Sequence, residues 1–127
     1  MPKFKKQFDL VKVDEDERIV GGIVYAPDTV DAQGDWTDAT EIRKMMYLFM
    51  EEVQSFDLMH EGTERDITIL ESFQPEVDTL KGGKTVPAGS WFLTTRVNDD
   101  AIWQGINDGD ITGYSIEGSA MGEESGP

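Results

Sequence analysis

Along the chain, apolar residues shift between the two-residue beat of a half-buried strand and the three-to-four-residue beat of a helix. Gln7–Val13 alternates imperfectly, with Phe8, Leu10, Val11 and Val13 apolar, and predicts an edge strand. Asp14, Glu15, Asp16 and Glu17 then read as a solvated turn. Arg18–Ala26 is rich in β-branched residues and predicts a strand, with Gly21–Gly22 marking a bulge or a close backbone approach. Pro27–Asp35 has the composition of a loop. Thr37 or Asp38 can cap a helix over Ala39–Gln54, with Glu41 placed for a capping box. Ile42, Met45, Met46, Phe49, Met50 and Val53 form its apolar stripe.

The second half reads mainly as strands. Ser55–His60 is one, with Phe56, Leu58 and His60 on a common face. After a turn over Glu61–Asp66, Asp66–Phe73 is another, in which strict alternation puts Ile67, Ile69 and Glu71 together. These two strands are expected to pair as a hairpin. Lys81–Gly89, with Gly82–Gly83 and Pro87, reads as a flexible connection. Ser90–Val97 is a strand, and Asn98 is expected to cap a short helix over Asp99–Asp108 that Gly109 stops. Its apolar face is Ile102, Trp103 and Ile106. Ile111–Ile116 is a last strand or strand-like turn, and Gly118–Pro127 reads as a small, acidic, disordered tail. The class is α+β with a mainly antiparallel sheet or barrel. Trp91, Trp103 and the Met45, Met46, Met50 group read as core.

Composition narrows the picture. The 127 residues suit one domain with a core of its own. With no cysteine, disulfides, thiolate metal sites and cysteine nucleophiles are excluded. The net charge of −15 argues against a nucleic-acid-binding surface and against an anionic membrane. It fits solubility first and adaptation to high salt second, with a basic partner as a third reading. Lys3, Lys5 and Lys6 are followed by no apolar stretch of the kind a signal peptide carries, and no apolar run is long enough to span a bilayer.

Few residues are candidates for chemistry. His60 is the sole histidine, so two-imidazole metal sites are excluded and any histidine base must be His60. Read alone, it is more simply a histidine satisfied at a strand end. Ser115, in Gly113-Tyr114-Ser115-Ile116-Glu117-Gly118, could be presented on a tight turn with backbone N–H groups nearby as an oxyanion hole, although Gly-x-Ser is also ordinary turn composition. Glu117 at the second position after the serine rules out a GxSxG elbow. Glu71, if inward among apolar neighbours, must find a donor, and orienting a histidine would supply one; an outward strand carboxylate is the equal alternative. Asp28, Asp31 and Asp35 lack the spacing of a calcium loop and fit turn chemistry.

Four stretches taken in order resemble the XkdF-like prohead serine proteases, relatives of herpesvirus assemblin. They are IVYAPDTVDAQGDW, DLMHEG, ILESF and GSWFLTTRVNDDAIWQGINDGDITGYSIEG, which together cover roughly residues 19–120. The resemblance implies a protease-like domain over 19–120, preceded by an N-terminal arm or edge strand (1–18) and followed by a flexible tail (121–127). It implies a β-barrel flanked by helices. It also implies a capsid-maturation endopeptidase that works without a cofactor, with Ser115 as nucleophile and His60 as base. Assemblin-type enzymes use a second histidine that this chain lacks, so the third member is assigned to Glu71, in Glu71-Ser72, with Asp57 as the fallback. Ser119 is the nearest rival nucleophile. Substrates would be the scaffold protein, the major capsid protein and the enzyme itself, inside an immature shell in the host cytoplasm, and the resemblance allows a homo-oligomer. Two other readings stand beside it: a non-catalytic assembly protein on the same fold, and an unrelated small acidic binding module.

Overall fold

The chain enters the fold as one long extended run that serves two sheets. In the computed structural model, which describes residues 3–27, 37–52, 55–58 and 67–119, β1 (Lys3–Asp9) and β2 (Val11–Asp14) are separated only by Leu10. The remaining elements are β3 (Ile19–Tyr25), α1 (Ala39–Glu52), β4 (Ser55–Leu58), β5 (Ile67–Phe73), β6 (Thr79–Lys81), β7 (Lys84–Val86), β8 (Trp91–Val97), α2 (Asp100–Asp108) and β9 (Gly113–Ser119). A three-stranded sheet has the order β1-β9-β4, and a four-stranded sheet the order β2-β3-β8-β5. Every strand pair among the described residues is antiparallel. At the corner, Leu10 N–H donates to the Thr112 carbonyl at 3.0 Å, so the chain stays tied to the first sheet as it passes into the second.

The α+β class holds, but among the described residues no closed barrel forms. With β1 and β2 joining the sheets on one side, closure needs β4 to pair with β5 on the other, and that is the hairpin expected from the sequence. Instead β4 pairs with β9 and β5 with β8, leaving β4 and β5 as the outer edges of different sheets among the described residues. Strand patterning specifies which face is apolar but not which neighbour a strand takes.

The core lies between the sheets. Val20, Val24, Trp91, Leu93, Tyr114 and Ile116 face one another, and Ile42, Met46 and Phe49 of α1 pack onto them. Phe49 and Trp91 meet at 5.6 Å between ring centroids. Burying side chains of this size stabilises the fold by about 1.5–3 kcal/mol each. Asp38 caps α1 by accepting the Glu41 N–H at 2.9 Å. Gln74, just past β5, donates to the Ala39 and Gly89 carbonyls and accepts from Arg43, tying the start of α1 to the sheet.

Two local expectations change. The cap of α2 is Asp99, which accepts the Ile102 N–H at 2.9 Å, while Asn98 instead donates to Thr68 Oγ1. The stretch read as a flexible connection holds a hairpin, β6–β7, turning at Gly82 and Gly83 with φ of 57° and 79°. Two consecutive positive φ angles are what a two-residue hairpin turn compatible with strand twist requires, and glycine supplies them. The pattern there was hidden by the shortness of the strands, three residues each.

Candidate active site

Ser115 is the third residue of β9, the central strand of its sheet, and not a residue on a turn. Gly113 and Gly118, which suggested a turn, both lie inside the strand, at positions opposite Asp9 and Phe4. Alternation sends Tyr114 and Ile116 into the core and Ser115 to the opposite face of the sheet. It is nonetheless only 4% exposed. Gln7 of β1 stands opposite it on one side and Asp57 of β4 on the other. Residues directly opposite in an antiparallel pair share a face, with Cβ atoms about 4.5–5.5 Å apart. Being paired on both sides also commits the amides around Ser115 to the ladders. The oxyanion hole of neighbouring backbone N–H groups expected from the sequence is therefore not available at this position.

Behind the serine, Tyr114 anchors the strand. Burial pushes its hydroxyl up to about 12, and a hydrogen bond with Thr95 works in the other direction. Thr95 Oγ1 lies 3.4 Å from that hydroxyl and 3.4 Å from the Val20 carbonyl, so β9 and β8 are linked by polar atoms inside an apolar core. Phe8 packs edge-on against the Tyr114 ring at 6.1 Å, which sets β1 against β9 immediately beside Gln7.

Glu71 is not brought to Ser115. It lies on β5 in the other sheet, opposite Thr94, and its side chain is 53% exposed and 3.6 Å from Lys81 Nζ. The inward orientation expected from strict alternation fails because β5 carries a bulge. Ile69 stands opposite Thr95 and Glu71 opposite Thr94, leaving Leu70 without a partner. Without that extra residue Glu71 would face Leu93 on the core side; with it, Ser72 takes that place and accepts a hydrogen bond from Trp91 Nε1 at 3.0 Å. One inserted residue reverses the facing of everything after it.

His60 lies outside the described residues, as do Asp28, Asp31 and Asp35. Asp57, the fallback for the third position, stands directly across from Ser115 in the register. Ser119 lies at the end of β9, opposite Lys3. Gln7 was given no role from the sequence, because nothing in a glutamine on an imperfectly alternating segment reveals which strand will pair with it.

On the two-sheet α+β fold, Ser115 of the central strand β9 is thus flanked in register by Gln7 and Asp57. The family described as "Putative phage serine protease XkdF" matches residues 7–124, and the chain belongs to that family. Two Bacillus subtilis (strain 168) proteins are similar to it. One, named "Phage-like element PBSX protein XkdF", is 39% identical over 128 aligned positions, covering 99% of this chain and 46% of the relative. The other, named "Uncharacterized protein YqbD", is 38% identical over 120 residues, covering 94% of this chain and 37% of the relative. The chain thus spans less than half the length of these relatives. No solved structure matches it.

Proposed function

We propose that this domain is a serine endopeptidase of viral capsid maturation, in which Ser115 is the nucleophile, His60 the general base and Asp57 the carboxylate that orients the histidine. The observation that carries the reading is the register of Ser115 opposite Asp57 across β4 and β9, in a chain of a family named for serine proteases. Glu71 is set aside for the third role because a half-exposed carboxylate bridged to Lys81 on another sheet does not serve a buried serine. In the reaction, His60 takes the Ser115 proton as Oγ bonds to the scissile carbonyl carbon. It then gives that proton to the leaving amine as the C–N bond breaks. Water, deprotonated by His60, releases the acyl group and restores the serine.

The proposal makes a demand on the chain beyond β4. Phe56 and Leu58 stand opposite Ile116 and Tyr114, the core-facing positions, and unbroken alternation would give His60 their face. For His60 to reach Ser115, the alternation has to break between Leu58 and His60. Substrates in this reading are extended segments of the scaffold and major capsid proteins and of the enzyme itself, met inside an immature shell in the host cytoplasm. Confinement there raises effective concentration, so weak segment binding suffices.

A second reading, a non-catalytic assembly domain, is favoured by one observation: Ser115 is 4% exposed. Co-expression with the scaffold and capsid proteins separates the two. Specific cleavage by the parent that disappears in Ser115→Ala, with the melting temperature kept, supports the endopeptidase. Cleavage that persists in Ser115→Ala rules out this nucleophile, and shells that mature without any cleavage by the parent favour the assembly domain.

A further inference from the structure

The arrangement around Ser115 raises a question that the proposed triad leaves open: what holds the negative charge that develops on the substrate oxygen. In many serine hydrolases the donors are backbone N–H groups beside the nucleophile, freed by a turn. Here β9 is paired on both sides through Ser115, so its amides are spent within the sheet. Among the described residues, a donor is then to be sought in a side chain that shares the face of Ser115. The register places two residues directly opposite it, Gln7 and Asp57. An ionised carboxylate only accepts hydrogen bonds and would repel an oxyanion, whereas a carboxamide offers two N–H donors. Of the pair, Gln7 alone can stabilise the intermediate.

Exposure points the same way. Ser115 is closed over, while Gln7, on the edge strand β1, is open to solvent. The flank of the serine that faces β1 is therefore the one from which a substrate carbonyl can approach, and it arrives beside the Gln7 carboxamide. With Cβ atoms about 5 Å apart, a glutamine side chain is long enough to bring its amide to an oxygen one bond beyond the carbon attacked by Oγ. The position of β1 is also well determined. Phe8, next in the chain, is buried against Tyr114, and Lys6, on the other side, is 5% exposed with its Nζ 4.7 Å from the Tyr25 ring centroid. Gln7 thus projects from a strand held from beneath by both neighbours.

We infer that Gln7 is the oxyanion donor for Ser115, an inference that rests on the nucleophile proposed above. The test uses the full chain and a biotinylated fluorophosphonate, whose phosphoryl oxygen occupies the place of the oxyanion when serine attacks phosphorus and fluoride leaves. The readout is the second-order rate of Ser115 labelling, with the modified residue located by mass spectrometry and the melting temperature recorded for each variant. Gln7→Met keeps the length and removes the donor, and labelling is expected to slow about 10²–10³-fold, the cost of losing one such donor. Gln7→Glu keeps the shape without a donor and should lose at least as much. Gln7→Arg restores an N–H and should recover a tenfold or greater part of the loss; a purely structural role for Gln7 would not produce that rescue. If both donor-less variants label within twofold of the parent, Gln7 is not the donor and Ser115 remains the nucleophile. A loss in Gln7→Met that Gln7→Glu does not share also overturns the inference. If the parent itself is not labelled at Ser115, the nucleophile falls, and the role of Gln7 with it.

Discussion

Gly22→Ala tests whether the position of β1, and with it the register of Gln7 and Ser115, depends on a backbone contact between the two sheets. A Cβ at Gly22 on β3 would sit 2.2 Å from the Asp9 carbonyl oxygen and 2.5 Å from Phe8 Cδ2. Such contacts tolerate no less than roughly 3 Å, so the Asp9 backbone would have to withdraw by close to 1 Å. It has nowhere to go. On its other side Gly113 of β9 approaches so closely that a Cβ there would be 2.6 Å from the Phe8 carbonyl oxygen. The strand is held between two glycines, and relief requires β1 to shift against β9 or the corner at Leu10 to open. Overpacking of this kind costs about 1–3 kcal/mol where side chains can adjust, and a backbone obstacle belongs at the top of that range. For a domain of this size about 3 kcal/mol corresponds to a fall in Tm of roughly 10–15 °C. The control is Gly83→Ala, where nothing lies within 4 Å and only the φ of 79° is unfavourable; it should cost about 1–2 kcal/mol. Thermal and urea melts followed by circular dichroism measure both. If Gly22→Ala melts within about 3 °C of the parent, or above Gly83→Ala, the close packing of β1 on β3 is not what positions the strand.

Three further outcomes follow from the same geometry. Burial raises the Tyr114 hydroxyl from 10.0 to about 12, so the folded state binds that proton more tightly than the unfolded one. The resulting stability is complete below pH 10 and is lost as pH rises from 10 to 12, by about 2–3 kcal/mol; in urea melts against pH, Tyr114→Phe should lack that alkaline decline, and a variant that keeps it would place the effect on another group. Glu71→Gln removes only an exposed ion pair to Lys81, so stability should change by less than about 1 kcal/mol and fluorophosphonate labelling of Ser115 should be unaltered. Asp57→Asn should slow cleavage by up to about 10⁴-fold if Asp57 holds the histidine tautomer, and a reversed pattern between the two variants would return the third role to Glu71.

Local periodicity determined a good deal of this protein. The α1 stripe of Ile42, Met46 and Phe49, the Asp38 cap, the β-branched run of β3 and the largely buried run of β8 follow from contacts within a few residues, and such interactions are written in short windows. Ser115 and His60 were marked as candidates by the resemblance of four ordered stretches to a protease family, not by local periodicity. Pairing was decided elsewhere. Whether β4 joins β5 or β9 is a choice among partners of similar pattern; pairing with β9 leaves the sheets unjoined at β4 and β5 among the described residues and sets Asp57 across from Ser115. The bulge at Leu70 is likewise invisible in alternation, yet it turned Glu71 outward by inserting a single residue. Gln7 acquires a candidate role only through a partner more than a hundred residues away, Ser115 on β9. The chain sequence encodes faces and caps directly; register between distant strands is fixed only when the core between the two sheets is packed.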